Sequence, residues 1–481
     1  MPDLPDLEWT AEELGQWNCH DVRLHARGQR ILTILEAHPT ISIPAACSSP
    51  AEINATYEFF ANPKVTAAAI LASHAHATQA RLAEYPVAVL IGDSTEFDYS
   101  QKTVARELGY IGHNQTRGFI WYPLLAVSLA GEVLGVVASQ EYLRTEISPT
   151  TSQQRKHQPI TEKESRFLLQ AYQQACQVQA ATPATQCVFV YDRGGDLYEI
   201  YQEYAQGGHR HPADFLIRGR EYERLLQRVV AVGGEHATNA HQARSRKLNV
   251  LLQAAPVLGE LTFTIPPTAS HPARTVTQEI RTVTVTLQPP ARTGLKLHPA
   301  TVRVVWCHEV KPPEGVTPLD WLLYTSLPVS TAAEAVWVVQ RYLQRWDIEL
   351  YFKILKSGCQ IEQLYLQTKS RLQTALALYM IVAWRILQFT RLGRAAPDVP
   401  CTLLFSPLEW QTVVGHFTGH IPLAPPSLQT VIRLVGRLGG YGGRKGDGEP
   451  GMQSLWIGLS RVRDMVQGAL ALRTAQRTQR A

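Results

Sequence analysis

Tyr342, Arg345, Glu349, Lys353 and Lys356 recur at intervals of three and four residues. On one α-helix, at about 100° per residue, they fall within roughly 80° of arc. One carboxylate then stands among three cations and a phenol, a grouping suited to holding a metal ion beside a phosphate. The same stripe also reads as a solvated face, with Glu349 and Lys353 as an i,i+4 ion pair worth a few tenths of a kcal/mol. Two aspartates extend the set. Val87–Ile91 and Cys187–Tyr191 are short apolar runs of the kind that form strands buried on both faces, and Asp93 and Asp192 lie just past their ends. Two-metal phosphoryl transfer needs carboxylates from separate elements converging on hard cations about 4 Å apart, one activating a nucleophilic oxygen and one stabilising the leaving oxygen. Singly, each aspartate is equally an ordinary turn or cap residue, and Asp196 in Arg193-Gly-Gly-Asp196 reads as a cap for the next helix.

The elements that must position these residues follow from periodicity. Residues 21 to 83 read as short helices interrupted at Ser49-Pro50 and Asn62-Pro63. Phe119–Leu129 and Val133–Glu141 read as a hairpin turning at Ala130-Gly-Glu132, and Glu162–Ala180 as a helix. From about Arg218 to Val329 the period is mostly two, which predicts a β-rich subdomain. At Thr331 it becomes helical, with Thr331 and Glu334 spaced as a capping box, and one helix is predicted from there to about Lys356. Leu372–Leu387 is a further apolar helix. The chain divides accordingly into a helical segment 1–85, an α/β core in two parts, 86–225 and 320–395, a β-rich insertion 226–319, and a C-terminal helical region 396–481.

The helix stripe completes the signature Tyr-x2-Arg-x3-Glu-x6-Lys with Tyr342, Arg345, Glu349 and Lys356. In this the chain resembles the DDE cut-and-paste transposases of bacterial insertion sequences that work through hairpin ends. The similarity extends to Ile91-Gly-Asp-Ser-Thr95, Val190-Tyr-Asp-Arg-Gly-Gly-Asp196, Tyr57-Glu-Phe-Phe-Ala-Asn-Pro63, Glu162-Lys-Glu-Ser165 and Pro318-Leu-Asp-Trp-Leu-Leu-Tyr-Thr-Ser326, and loosely to Arg437-Leu-Gly-Gly440. The resemblance implies a ribonuclease-H-like catalytic core in which Asp93, Asp192 and Glu349 bind two Mg2+ ions, with Mn2+ able to substitute. It implies a 3′ nick at the transposon end, hairpin formation by the freed 3′ hydroxyl, hairpin opening, and joining to target DNA. Tyr342, Arg345, Lys353 and Lys356 would grip DNA phosphates, Trp321 would stack a flipped base, and Arg218 would lie near the DNA end. Residues 1–85 would bind the terminal inverted repeats of double-stranded DNA, and 396–481 would dimerise, so a homodimer is expected in the synaptic complex. One departure is Tyr122, where members of the family often carry histidine.

Composition is compatible with this. The 481 residues carry a net charge of +5 at 45% hydrophobic content, a folded protein tilted toward a polyanionic partner. Arg433, Arg437, Arg444, Lys445, Arg461, Arg463, Arg473, Arg477 and Arg480 make the C-terminal region basic. Seven scattered cysteines without a Cys-x-x-Cys pair argue against a disulfide framework or zinc knuckle and fit a reducing cytoplasm, a prokaryotic one as the resemblance implies. No apolar run approaches membrane-spanning length in the sequence, so no membrane partner is expected. The pairs His74/His76 and His209/His211 lack evident acidic partners and read as surface residues. Gly439-Gly-Tyr-Gly-Gly443 lacks the ending of a phosphate loop, and Arg155-Lys-His157 reads as a solvated basic run. Two other functions fit the same residues: a catalytically idle DNA-binding protein of transposase descent, and a structure-selective nuclease.

Overall fold

The computed structural model describes residues 7–112, 115–145, 158–220, 224–232, 247–265, 272–291, 296–444 and 447–480. The basic run at 155–157 and the end of the glycine-rich stretch at 445–446 lie outside them. The chain begins with five helices: α1 (Leu7–Leu14), α2 (Val22–Ala37), α3 (Ile43–Ala46), α4 (Pro50–Ala61) and α5 (Ala67–Leu82). The side chains of Asp21, Ser49 and Thr66 accept first-turn N–H groups of α2, α4 and α5. Ser49-Pro50 therefore starts a helix as well as ending a loop, because proline at the first helical position lacks only an N–H that has no partner there.

Twelve strands among the described residues form one sheet. They are β1 (Val87–Gly92), β2 (Thr95–Asp98), β3 (Gly109–Tyr110), β4 (Arg117–Ser128), β5 (Val133–Tyr142), β6 (Gln186–Tyr191), β7 (Asp214–Arg218), β8 (Leu226–Val232), β9 (Gly259–Ile265), β10 (Arg274–Leu287), β11 (Ala300–Glu309) and β12 (Asp320–Thr325). In the core the order is β5-β4-β1-β6-β7, with β4 antiparallel to both neighbours and β1, β6 and β7 parallel. This is a ribonuclease-H-like arrangement. The β-rich stretch adds no second sheet: β12 pairs antiparallel with β7, β11 with β12 and β10 with β11, while β8 and β9 pair with β10.

Burial follows the period of two. Val89, Ile91, Val188 and Val190 face a core shared with α2, α4 and the later helices α9 (Ala332–Leu343), α10 (Trp346–Lys353) and α11 (Lys369–Ala395). Ala88, Leu90, Cys187, Phe189 and Tyr191 face a second core with α6 (Arg166–Ala181), α7 (Tyr198–Gln206) and α8 (Leu248–Ala254). Both faces of β1 and β6 are thus covered, as their unbroken apolar runs require. A third core joins α11 to α12 (Pro407–Thr418), α13 (Leu428–Leu438) and α14 (Met452–Arg480). Helix α11 is long and apolar enough to cross a membrane, contrary to the sequence expectation, but 83% of its most apolar window is buried inside the protein, as in a core helix.

Three local expectations are corrected. The single helix predicted to Lys356 is α9, where the Thr331/Glu334 capping box forms, then a tightened junction, α10, and a π-turn over Ile354–Gly358. At the junction the N–H groups of Gln344, Arg345, Asp347 and Ile348 bond three residues back, and the Gln344 amide donates to the carbonyls of Ser128 and Leu129. Those tertiary bonds override the ideal period. Asp196 caps no helix; it accepts from Tyr201, Arg224 and the Arg220 N–H.

His74, third, is no surface residue. It is 1% exposed, its Nδ1 lies 2.5 Å from Glu13 Oε2 on α1, and its Nε2 accepts the Val136 N–H of β5. His209 likewise has an acidic partner, Glu203 at 3.0 Å. Burial opposes the charge on Glu13, yet His74 and Arg81 hold its carboxyl below the ordinary value. A carboxyl lowered on folding contributes stability above its unfolded pKa, and that contribution is lost as pH falls. Glu13→Gln should therefore cost about 2–3 kcal/mol in urea denaturation at pH 7, and the difference from wild type should shrink below about pH 4.5.

Candidate active site

Parallel β1 and β6 run in register, Ile91 opposite Val190, so the positions two residues on, Asp93 and Asp192, emerge side by side from the sheet. Continued alternation turns both toward the face that carries α10 and Glu349. Gly92 permits the close approach: a Cβ there would meet the Tyr191 ring at 2.6 Å. The loops fix the carboxylates locally. The Ser94 N–H donates to Asp93 Oδ1 at 2.7 Å, and the Gly194 N–H to Asp192 Oδ1 at 2.6 Å.

Glu349 enters from α10 through Arg345. The Arg345 guanidinium reaches Glu349 Oε1 at 2.7 Å from Nη2 and Asp93 Oδ2 at 3.5 Å from Nη1. Its side chain is 10% exposed, Asp93's 20% and Glu349's 42%, so the site is open on the glutamate side. Burial pushes the Asp93 carboxyl up to about 6; the Ser94 N–H and Arg345 oppose this, while the charges of Asp192 and Glu349 add to it. The site thus holds more negative charge than its own cation neutralises. Among the described residues no three His, Cys, Asp or Glu side chains are spaced to hold one ion, and Glu349 commits an oxygen to Arg345.

The remaining sequence candidates divide. Tyr342 is buried against Trp321, and burial raises its hydroxyl while the nearby Arg345 and Arg218 oppose the rise. Arg218, at the end of β7, donates to the Asp320 carbonyl. Lys356 lies in the π-turn with Nζ 5.7 Å from the Phe97 ring centroid on β2, the strand that follows Asp93. Such turns interrupt helices often at functional sites. Lys353 is exposed.

Trp321 is only 3% exposed, stacked on Phe263 at 5.7 Å and edge-on to Tyr342 at 5.2 Å. In this arrangement it is a core residue, and a base could stack on it only after Phe263 moved. Trp321→Ala should cost about 3–5 kcal/mol in denaturant unfolding. A variant of full stability that failed only in hairpin formation would instead match the base-stacking role.

Residues not singled out by chemistry also meet the site. Tyr122 and Glu164 share a cavity wall with both aspartates. The motif Glu162-Lys-Glu-Ser165 and the departure at Tyr122 were the available signals, but nothing in the sequence joined them.

Family models match along the chain: the transposase DNA-binding model over residues 6–65, the transposase DDE domain over residues 88–385, and the transposase Tn5 dimerisation domain over residues 381–479. Among solved structures, one chain from the cryo-EM structure of the piggyBac transposase synaptic complex with hairpin DNA is similar at a TM-score of 0.29 and 8% identity. That match covers 83% of this chain and 57% of the other, so this chain spans little more than half of that relative's length.

Proposed function

Since the chain belongs to the DDE transposases, whose domain model spans residues 88–385, we propose that it cuts and joins DNA at transposon ends with Asp93, Asp192 and Glu349 as its catalytic carboxylates. The observation that carries this is that Arg345 pairs with both Asp93 and Glu349, while Asp192 leaves the adjacent strand end beside Asp93. A turn aspartate needs no such company.

Hard carboxylate oxygens suit Mg2+, which accepts one or two carboxylates and completes its shell with water and phosphate oxygens. The raised Asp93 carboxyl is in keeping with the fit: burial is the main cause, and the charges of Asp192 and Glu349 add to it. Asp93, Asp192 and Glu349 would hold two such ions, with Mn2+ as a substitute. Bound there, they supply activation of the attacking oxygen and neutralisation of charge on the phosphate.

The protein's own groups then do the positioning. Arg345 would exchange a carboxylate for a DNA phosphate, aided by Lys356, Tyr342 and Arg218, while exposed Lys353 would meet the backbone farther out. The reaction order would be a 3′ nick by water, attack of the freed 3′ hydroxyl on the opposite strand to form a hairpin, opening by a second water, and joining of the 3′ end to target DNA. Residues 1–85 would recognise the inverted repeats. Residues 396–481 would pair two subunits.

The test gives the purified protein a duplex bearing its flanking terminal repeats with Mg2+ and resolves the products on denaturing gels. Nicks followed by hairpins are expected. Binding without cleavage would favour an idle DNA-binding protein, and nicking without hairpins or joining a structure-selective nuclease.

A further inference from the structure

A cavity of about 230 Å3 opens beside the two strand-end aspartates on the side of α6. Asp93, Asp192, Tyr191, Tyr122, Glu164 and Ser165 line it; among the described residues Arg345 and Glu349 do not. The aspartates therefore have two neighbourhoods: cationic toward α10, and built of hydroxyls and a third carboxylate toward α6.

This second neighbourhood is organised for water. The Tyr191 hydroxyl belongs to a residue 2% exposed and has no hydrogen-bond partner among the described residues, a costly state unless something in the cavity supplies one. At about 30 Å3 per molecule the cavity has room for several waters. Glu164 is fixed at its rim: Arg144 Nη2 donates to both carboxylate oxygens at 2.8 Å, and the Tyr122 hydroxyl lies 3.5 Å from Oε1. The Tyr122 ring is itself held by stacking on Phe167 at 5.3 Å.

We propose that Glu164, with the hydroxyls of Tyr122 and Tyr191, positions the water that attacks DNA beside Asp93 and Asp192. The proposal rests on the transposase reading, in which two steps consume water and two consume a 3′ hydroxyl. In the water steps the water oxygen bonds to phosphorus, the P–O3′ bond breaks, the water's proton passes to solvent and the 3′ oxygen takes one up. A 3′ hydroxyl arrives on DNA and needs no residue to hold a free water. Glu164 is thus a positioning residue for hydrolysis, and its loss should separate the two kinds of step.

The experiment compares wild type, Glu164→Gln and Tyr122→Phe under single-turnover conditions with Mg2+, on intact ends and on ends already nicked. Thermal unfolding of each variant controls for folding. Glu164→Gln should slow nicking by about 10²-fold, the loss that a small misplacement of a reacting group can cause, and should slow hairpin formation at least tenfold less. Tyr122→Phe should shift the same ratio in the same direction by a smaller factor. As a readout apart from activity, water-proton relaxation by Mn2+ on the DNA-free protein should differ between wild type and Glu164→Gln. Equal slowing of both substrates, or no slowing with unchanged relaxation, would overturn the proposal. Wild-type protein that processes neither substrate would contradict the transposase reading and this assignment with it; active wild type with an unchanged ratio in the variants contradicts this assignment alone.

Discussion

Asp192→Asn should abolish end cleavage, by about 10³-fold or more, while leaving thermal stability and binding to end DNA close to wild type. The magnitude follows from the role: a group acting as one member of a joint catalytic unit loses nearly the whole unit's contribution when removed alone. The indifference of stability follows from the structure. Among the described residues Asp192 makes one hydrogen bond, from the Gly194 N–H, which the asparagine oxygen can keep. Single-turnover cleavage, differential scanning calorimetry and a gel-shift titration on one preparation separate the outcomes. Equal losses in all three would mean that Asp192 is a turn residue after all.

The second large effect lies far from the chemistry. Arg463 on α14 is 7% exposed and pairs with Glu36 of α2 at 2.7 Å and with Glu409 of α12. Those glutamates are 3% and 2% exposed. Removing the cation takes the ion-pair partner from two buried carboxylates, to which Arg385 remains near; breaking a buried pair typically costs about 3–5 kcal/mol, far more than an exposed one. Arg463→Ala should show that loss in urea unfolding at pH 7, and adding Glu36→Gln should recover part of it. A loss under about 1 kcal/mol would mean that water reaches the cluster. Since α2 lies in the segment matched by the DNA-binding model and α14 in that matched by the dimerisation model, this cluster ties the two ends of the chain together.

How far the sequence carried this account depends on the range of the interactions. Val87–Ile91 and Cys187–Tyr191 were legible as buried strands because a two-sided burial demand writes itself into a continuous apolar run, and the aspartates at their ends came with them. The capping box at Thr331 and Glu334 was legible for the same reason, being a contact three residues long. The straight helix to Lys356 was not borne out, because the junction at Gln344 is set by the carbonyls of Ser128 and Leu129, more than two hundred residues away. His74 looked partnerless for a similar reason: Glu13 is 61 positions distant and sits on α1, whose helix the acidic N-terminal composition did not announce. The water-holding cavity was beyond reach altogether, since Tyr122, Arg144, Glu164 and Tyr191 meet only once β4, β6 and α6 are packed.

Single-turnover nicking of end DNA by Glu349→Gln as a function of Mg2+ tests whether Glu349 works with Asp93 and Asp192 on DNA. Wild type should nick only with added Mg2+, and Glu349→Gln, bound to the same DNA, should stay silent across the titration. Nicking by Glu349→Gln at the wild-type rate would mean that Glu349 is not a catalytic carboxylate.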